Sequence, residues 1–286
     1  MRSDHAGRSL VDGVAINPAI TMYAIDVHAH FGDYDAGAGS GALVNRLFGG
    51  GIDVVRRRAQ AAGVRLTVVS ALTTFMPYGG NPFKGNDESR SAAEKHDDIC
   101  FWAVLDPRLK ESYRQVEALL AHPRCKGIKI HPQRHFYEIR QYGDEVFSFA
   151  AGNRAVVLTH SGDPGSFPED FIPFTDRHSQ VRLILAHLGN NSEAGMSRQV
   201  CAVQRSQAGN VFIDTSSARS IYSGLIEWAV ETIGADRLLF GTDTPLYSVA
   251  CHKARIESAE ISQAAKRAIL FRNAARLLNE PVKQFA

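Results

Sequence analysis

Eight short apolar runs recur along the chain, and amphipathic stretches separate them. Most of the runs are continuously apolar, which is typical of strands that are covered on both faces of a parallel sheet. The predicted strands are YAIDVH (23–28), LTVVSAL (66–72), ICFWAVL (99–105), KGIKIH (126–131), AVVLTH (155–160), VRLILAH (181–187), NVFID (210–214) and RLLFGTD (237–243).

The stretches between the runs show the spacing of amphipathic helices. In residues 52–63 the apolar positions fall on one stripe, and Gly63 is placed to end the helix. Residues 112–123 repeat the pattern up to a proline. A closing helix within residues 261–278 has Ser262 as its expected N-cap.

Eight strands that alternate with helices favour a single (β/α)₈ TIM-like barrel, with a doubly wound sheet as the alternative. We expect the barrel to cover residues 23–286, after an N-terminal extension over residues 1–22. Glycine-rich loops at 32–51 and 73–87 follow the first two strands. They are expected at the C-terminal face of the barrel, where this fold binds substrates.

The composition and net charge of the chain argue against nucleic acid and membranes as binding partners. Hydrophobic residues make up 44% and charged residues 22% of the chain, and the formal net charge is +2. This balance offers no electrostatic footprint for nucleic acid or an anionic membrane. The four cysteines form no Cys-x-x-Cys pair, and no apolar run approaches the length of about 18 residues that spans a bilayer. We therefore expect a cytoplasmic protein that acts on a small molecule.

Residues that can bind a metal or a substrate stand at the ends of successive predicted strands. They follow one another at intervals of 27 to 31 residues, about one for each strand–helix unit: Lys129, His160, His187, Asp214 and Asp243. Closing a barrel would bring all five side chains to one rim. The phasing predicts a functional site there.

The first strand carries the sequence AIDVHAH, with His28 and His30 near its end. Residues two apart on a strand share a face and lie roughly 6.6 Å apart. Two imidazoles so placed can converge on one cation, each binding at roughly 2.1 Å. The spacing predicts a metal site at this strand end, and Asp26 is expected to be structural.

Five motifs in order, DVHAH, GIKIHP, LTHSG, LAHLG and LFGTDTP, resemble the amidohydrolase superfamily. Within it they are most similar to the branch typified by aminocarboxymuconate-semialdehyde decarboxylase and to amidohydrolase-related hydrolases. The resemblance covers residues 23 to 280. It implies a distorted (β/α)₈ barrel with a mononuclear metal site at the C-terminal face of the strands. The ligands that it implies are His28, His30, His160 and Asp243.

The resemblance also implies roles for the catalytic residues. His187 would contact the water and the substrate, which requires a neutral imidazole. Asp243 would accept a proton from the water and return it to the leaving group. Three imidazoles and one carboxylate suit Zn²⁺ and tolerate Mn²⁺ or Fe²⁺.

The fourth strand leaves alternatives open, because Lys129 and His131 share one face of it. In binuclear amidohydrolases a carboxylated lysine on this strand bridges two metals, and His160 and His187 would then hold the second one. We favour one metal, with Lys129 or His131 as a substrate contact. Pairing of Lys129 with a buried carboxylate is the plain structural alternative.

Two further predictions concern the surroundings of the metal. Asp214 matches no ligand of the family and is expected to orient a histidine by a hydrogen bond. The loop after the fourth strand could bind an anionic substrate through Arg134, together with His135, Tyr137 and Arg140, or could be merely solvated. Specificity is expected in the loops at 31–50, 73–87 and 132–143.

The favoured function is a metal-dependent hydrolase that uses an activated water on a lactone, amide or ester, which could carry a carboxylate. The alternative is a non-oxidative decarboxylase built on the same site, which an arginine close to the metal would favour. A nuclease would need a glutamate on the fourth strand and a basic groove. A non-catalytic barrel would require all five motifs to be vestigial. The resemblance further suggests a homodimer.

Overall fold

The computed structural model of the chain describes residues 22–35, 41–191 and 195–281. Apart from residue 22, the predicted N-terminal extension lies outside these residues and stays a prediction. In the described part of the chain, no helix is both long enough and apolar enough to cross a membrane.

Eight parallel strands form one sheet whose spatial order is the order of the chain. They are β1 (Ala24–Phe31), β2 (Val64–Ala71), β3 (Ile99–Val104), β4 (Cys125–Ile130), β5 (Val157–Thr159), β6 (Leu183–Leu185), β7 (Val211–Asp214) and β8 (Leu238–Leu239). The two ends of the sheet meet, because the Val27 N–H donates to the Phe240 carbonyl at 3.0 Å and the His30 N–H to the Thr244 carbonyl at 2.6 Å. This confirms the predicted (β/α)₈ barrel over the doubly wound sheet.

Helices follow the strands around the outside of the barrel. They are α1 (Ala42–Phe48), α2 (Ile52–Ala61), α3 (Pro82–Lys95), α4 (Lys110–Leu120), α5 (Ile139–Gly152), α6 (Pro168–Arg177), α7 (Arg198–Arg205), α8 (Leu225–Ile233), α9 (Val249–Ser258), α10 (Gln263–Arg267) and α11 (Asn273–Leu277). A π-helical turn over Ala268–Arg272 joins α10 to α11. Ser262 caps α10 as predicted, since its side chain accepts a hydrogen bond from the Ala265 N–H.

Strands β2, β3 and β4 end one residue before their predicted position. Three other strands also end early: β5 by one residue, β6 by two and β8 by four. Each was expected to run through the polar residue that closes its motif, which is His160, His187 or Asp243. The backbone leaves strand geometry before these residues, and His187 and Asp243 have positive φ angles of 72° and 56°. The chain thus turns where these polar side chains are presented at the rim.

The predicted loops are also shorter than expected. The 32–51 segment contains α1, the 132–143 segment runs into α5, and the prediction of a loop over 73–87 is wrong from residue 82 onward. Asn81 caps α3 by accepting a hydrogen bond from the Lys84 N–H at 3.0 Å, and a proline opens the helix. Gly85 suggested a loop, but it lies inside α3 at a point where a Cβ would collide with Thr74.

Buried apolar side chains from six strands pack with the closing helix α11 in one cluster. Its members include Ile25, Val27, Val68, Trp102, Leu158, Ile184, Leu239, Ala274 and Leu277. The Trp102 ring N–H donates to the Val27 carbonyl at 2.8 Å, so the largest side chain of this cluster leaves no polar atom unpaired. Such dense packing gives the polar residues at the strand ends a rigid support.

Candidate metal centre

Three of the predicted ligands meet where β1 ends beside the segment that follows β8. His30 Nε2 lies 3.1 Å and His28 Nε2 lies 3.5 Å from Asp243 Oδ1. One ligand atom from each residue falls within 4.8 Å of the others, and all three residues are buried. Imidazole nitrogens and a carboxylate oxygen are ligands that Zn²⁺, Mn²⁺ and Fe²⁺ accept. The donor set therefore fits a divalent cation.

The protonation states of these groups also fit a cation. Burial, together with the nearby Lys129 ammonium, lowers the pKa of His28 to about 4, so its ring is neutral at pH 7. Burial alone would raise the pKa of Asp243. The close approach of the His30 and His28 rings outweighs that effect and holds the pKa well below its ordinary value. Asp243 is therefore a carboxylate.

Hydrogen bonds outside the cluster decide which nitrogen of each β1 histidine faces it. His28 Nδ1 donates to Asp214 Oδ2 at 2.9 Å, and His30 Nδ1 donates to the Ser70 carbonyl at 2.9 Å. Because each proton sits on Nδ1, both Nε2 lone pairs are directed at Asp243. Such outer hydrogen bonds orient ligands and fix their tautomers.

His160, the predicted ligand after β5, reaches the same site from the other side. Its Nε2 donates to Asp163 Oδ2 at 2.6 Å, which leaves Nδ1 as the free nitrogen, 3.0 Å from His187 Nε2. The three-residue ligand groups found in the described chain include His28 with either His30 and Asp243 or His187 and Asp214, but not His160. The structure thus brings three of the four predicted ligands into one group and places the fourth beside His187.

His187 and Asp243 both occupy the left-handed region of backbone conformation, which is uncommon for residues other than glycine. Hydrogen bonds hold them there: the His187 N–H donates to Asp214 Oδ1 at 3.0 Å, and the Asp243 N–H donates to the His28 carbonyl at 2.8 Å. Burial lowers the pKa of His187 well below its ordinary value. The ring is neutral, as its predicted role requires.

Lys129 is buried and contacts the predicted ligand His28. Its Nζ is 2.8 Å from His28 Nε2, and burial lowers its pKa to about 8. Within the described residues it makes this contact rather than a direct ion pair with a carboxylate. Lys129 would have to give up the contact for His28 Nε2 to bind a metal.

Three further residues support the site: Asp214, which bonds to a histidine as predicted, and Asp163 and Ser216, which sequence reasoning missed. Asp163 follows His160 by three positions, and this spacing was the available signal. Asp214 accepts hydrogen bonds from the His28 ring and the His187 backbone N–H. Ser216 lies between the rings of His28 and His187. Serine is common after strand ends, so no sequence signal distinguishes Ser216.

Asp26 is fully buried and bonds to the Thr242 hydroxyl at 2.6 Å and to the His28 N–H at 3.1 Å. Burial raises its pKa to about 7. Its hydrogen bonds join the backbone of β1 to the segment after β8, and no imidazole is bonded to it in the described structure.

A cavity of about 210 Å³ opens beside these groups. Its lining includes the metal-centre residues, the side chains of Tyr34, Leu72, Phe75, Met76, Leu246 and Tyr247, and the polar residues His131, Gln133, Arg134 and Asn190. His131 stacks on His160 with ring centroids 4.2 Å apart, and its Nδ1 accepts the Arg134 N–H at 3.3 Å. The ring proton of neutral His131 is therefore on Nε2.

Among the charged and aromatic residues predicted in the loop after β4, Arg134 reaches the cavity and the others do not. Its Nη2 donates to the Tyr34 hydroxyl at 3.2 Å, and its guanidinium lies 4.2 Å over the Tyr78 ring. Its buried Nη1 has no hydrogen-bond partner among the described residues. His135 bonds to a backbone carbonyl, Tyr137 is buried and the exposed Arg140 pairs with Asp170.

A (β/α)₈ barrel that gathers imidazoles and carboxylates at the C-terminal ends of its strands has the architecture of a metal-dependent enzyme. The family model described as amidohydrolase matches residues 25–279. The chain therefore belongs to the amidohydrolase family, as the resemblance predicts. No curated protein sequence matches it.

Solved structures with the same barrel include decarboxylases and amidohydrolases. A 2,6-dihydroxybenzoate decarboxylase from Rhizobium superposes with a TM-score of 0.68 at 16% identity, covering 90% of this chain and 98% of that one. A dihydroxybenzoic acid decarboxylase from Polaromonas, solved with manganese and an inhibitor, gives 0.67 at 16%, covering 90% and 97%. A zinc-bound amidohydrolase from Burkholderia multivorans gives 0.69 at 19%, covering 91% and 100%. At these identities the likeness establishes the fold.

Proposed function

We propose that this chain is a metal-dependent decarboxylase of a small aromatic acid. One observation carries the proposal: Arg134, whose buried Nη1 has no hydrogen-bond partner among the described residues, lines the same cavity as the metal centre. Of the two reactions that the sequence left open, decarboxylation is the one that an arginine beside the metal favours.

Arg134 is built to receive an anion. Tyr34 and Tyr78 hold its guanidinium from two sides, through a hydrogen bond and a ring contact. A buried N–H without a partner costs about 1–3 kcal/mol, and a bound carboxylate would remove that cost. The planar guanidinium can bind a carboxylate through two parallel hydrogen bonds.

The cavity suits a single ring. A cavity of about 150 Å³ holds benzene, so about 210 Å³ leaves room for a ring with small polar substituents. Phe75, Leu72 and Met76 supply an apolar wall, and His131 offers an Nε2–H donor for a ring substituent. The similar structures include enzymes described as acting on dihydroxybenzoates, which supports the same class of substrate.

The residues present fit one divalent cation held by His28, His30 and Asp243, with His160 Nδ1 as the fourth donor. Zn²⁺ remains our proposal for the ion, with Mn²⁺ or Fe²⁺ as alternatives that the same donors accept. When bound, the ion would polarise an oxygen of the substrate or of water.

Decarboxylation replaces a C–C bond by a C–H bond: the carboxylate leaves as CO₂ with its carbon, and the ring carbon takes one proton. His187 lines the cavity and its ring is neutral, so it could take a proton from solvent and pass it to the ring carbon. Arg134 would hold the carboxylate before cleavage, and the apolar wall would exclude water from the ring.

Hydrolysis is the second candidate, and the state of Asp243 favours it. The carboxylate is ionised and lies in the cavity, so it can accept a proton from an attacking water. For either reaction we propose a small-molecule substrate, a cytoplasmic protein without nucleic-acid or membrane partners, and a homodimer.

The test compares two arginine variants on a panel of hydroxybenzoates, with Zn²⁺- and Mn²⁺-loaded protein. The expected products are CO₂ and, in D₂O, a phenol that carries one deuterium at the carbon from which the carboxylate left. Arg134→Gln should raise KM about 10–100-fold, equivalent to about 1.4–2.8 kcal/mol of lost carboxylate binding. Arg140→Gln, which replaces an exposed arginine outside the cavity, should leave KM within about twofold. Turnover of lactones or amides without any CO₂ release from the acids would exclude the decarboxylase in favour of the hydrolase.

A further inference from the structure

The segments that follow β2 and β4 supply the apolar wall of the cavity and Arg134, and they are joined across the end of β3, the strand between them. The Gly79 N–H donates to the Arg134 carbonyl at 2.9 Å. The Arg134 guanidinium lies over the Tyr78 ring, and the Phe136 ring stacks on Tyr78 with ring centroids 5.8 Å apart. Tyr78 and Phe136 are exposed, so these ring contacts lie at the surface of the joined segments.

His135 makes a buried link between the same two segments. It is fully buried, and its Nε2 lies 2.9 Å from the Thr74 carbonyl oxygen. A carbonyl can only accept a hydrogen bond, so His135 carries a proton on Nε2 and donates it. Burial lowers the pKa of His135, which keeps the ring neutral at pH 7. The ring also packs against Phe75, with ring centroids 5.6 Å apart.

The acceptor of this hydrogen bond is held in place by its own segment. Thr74 is fully buried, and its hydroxyl donates to the Ala71 carbonyl at 2.6 Å. Gly80 approaches Thr74 so closely that a Cβ at this position would collide with the Thr74 carbonyl. Thr74 is therefore a fixed point to which His135 attaches the segment after β4.

We propose that His135 is a positioning residue that sets the distance between Arg134 and Phe75, the carboxylate-binding and ring-binding sides of the cavity. Arg134 directly precedes His135 in the chain. Phe75 directly follows Thr74, which accepts the hydrogen bond. A shift of this link would therefore move the two sides of the cavity relative to each other. The inference rests on the proposed function, because it takes Arg134 as the receptor of the substrate carboxylate.

Loss of the His135 donor should weaken substrate binding and spare the metal centre. A buried carbonyl that loses its donor is costly, and the two segments can reduce that cost by moving apart to admit water. Arg134 and Phe75 would then no longer hold the two ends of one small substrate. The predicted metal ligands follow other strands, so their arrangement should not change.

The experiment uses two amide variants that differ in reach. The glutamine amide places an N–H near the position of imidazole Nε2, whereas the shorter asparagine amide reaches only the position of Nδ1. The probe is 4-fluorobenzoate, and its binding to Zn²⁺-loaded protein is followed by ¹⁹F NMR. Affinity should fall about 10-fold in His135→Asn and less than about threefold in His135→Gln.

His122→Asn is the matched control, because His122 precedes β4 and lies at the opposite end of the barrel. Its Nδ1 accepts the Arg124 N–H at 3.2 Å, and its ring packs against Phe101 with ring centroids 5.5 Å apart. It thus combines a backbone hydrogen bond and a ring contact, as His135 does. His122→Asn should bind 4-fluorobenzoate within about twofold of the wild type.

The kinetics of a hydroxybenzoate that the wild type decarboxylates give a second readout. KM should rise about 10-fold in His135→Asn, whereas kcat should stay within about threefold. Partial unfolding would instead lower kcat at an unchanged KM, because it removes active protein. If His135→Asn does not fold, Gly80→Ala tests the same link by displacing the Thr74 carbonyl, and it should weaken binding to the same extent.

Equal affinity for 4-fluorobenzoate in the wild type and His135→Asn, or no binding to either protein, would overturn the proposal. A His135→Gln variant that binds as weakly as His135→Asn would overturn it as well. Weaker binding in His135→Asn, restored in His135→Gln, without CO₂ release from any hydroxybenzoate would refute the proposed decarboxylase and leave this inference standing.

Discussion

Replacing Asp214 by asparagine should move the ring proton of His28 from Nδ1 to Nε2 and weaken metal binding. Asp214 Oδ1 accepts the N–H groups of His187 and Ser216 and the Ser216 hydroxyl, whereas Oδ2 accepts from His28. The asparagine oxygen should take the place of Oδ1, because the opposite orientation would break three hydrogen bonds worth about 1 kcal/mol each. Its NH₂ group would then face His28 Nδ1.

Two donors cannot share a hydrogen bond, so the proton of His28 should move to Nε2, which faces Asp243, and the Lys129 ammonium must then give up its contact with that nitrogen. Loss of such an orienting partner lowers metal affinity about 10–100-fold. At about 1.4 kcal/mol for each factor of ten, this is about 1.4–2.8 kcal/mol of binding free energy.

The assay is Zn²⁺ competition at pH 7, with thermal unfolding of the metal-free protein to show that the variant is folded. Asp26→Asn is the matched control: it is an isosteric change at another buried aspartate, whose hydrogen bonds are to backbone and a threonine hydroxyl. Asp26→Asn should bind Zn²⁺ within about twofold of the wild type. An Asp214→Asn variant that did the same would refute the reasoning.

Three further predictions concern stability. Gly241→Ala would place a Cβ 3.1 Å from His28 Cβ and from the Asp214 side chain, so urea unfolding should show a loss of about 1–3 kcal/mol. Because burial raises the pKa of Asp26 to about 7, its contribution to stability should fall as pH rises from about 4 to about 7. The free energy of unfolding of metal-free Asp26→Asn should not show this fall between about pH 4 and pH 7. A variant with the same pH slope as the wild type would contradict the prediction. Ser262→Ala removes the α10 cap and should cost about 1 kcal/mol by the same urea assay, whereas Ser258→Ala, beside no helix start, should cost less.

The barrel could be predicted because its signal is local. Strands covered on both faces are continuously apolar, and this pattern located all eight. Placement of the polar residues followed from topology, since the C-terminal ends of parallel strands in a barrel meet at one rim. Lys129, His160 and Asp243 therefore needed no knowledge of long-range contacts to be assigned to the same face.

Ring orientations could not be predicted, because they depend on contacts between distant residues. His28 and Asp214 are 186 positions apart, and their hydrogen bond decides which nitrogen of His28 faces the cavity. The loop predictions failed for a related reason. Gly85 resembled a loop residue, but it lies inside α3. The helix approaches Thr74 so closely there that a Cβ would collide with it, and glycine is needed at this position.

The same residues form the metal centre and the hydrogen bonds that close the barrel between β1 and the segment after β8. Asp243 supplies a carboxylate to the site and donates its N–H to the His28 carbonyl, which joins the segment that follows β8 to β1. Asp243 and His187 hold left-handed conformations that cost about 1–3 kcal/mol each. A cation that binds Asp243 only in the folded barrel would stabilise the barrel by mass action and offset that cost. Metal binding and barrel closure are therefore linked, whichever of the two reactions the cavity supports.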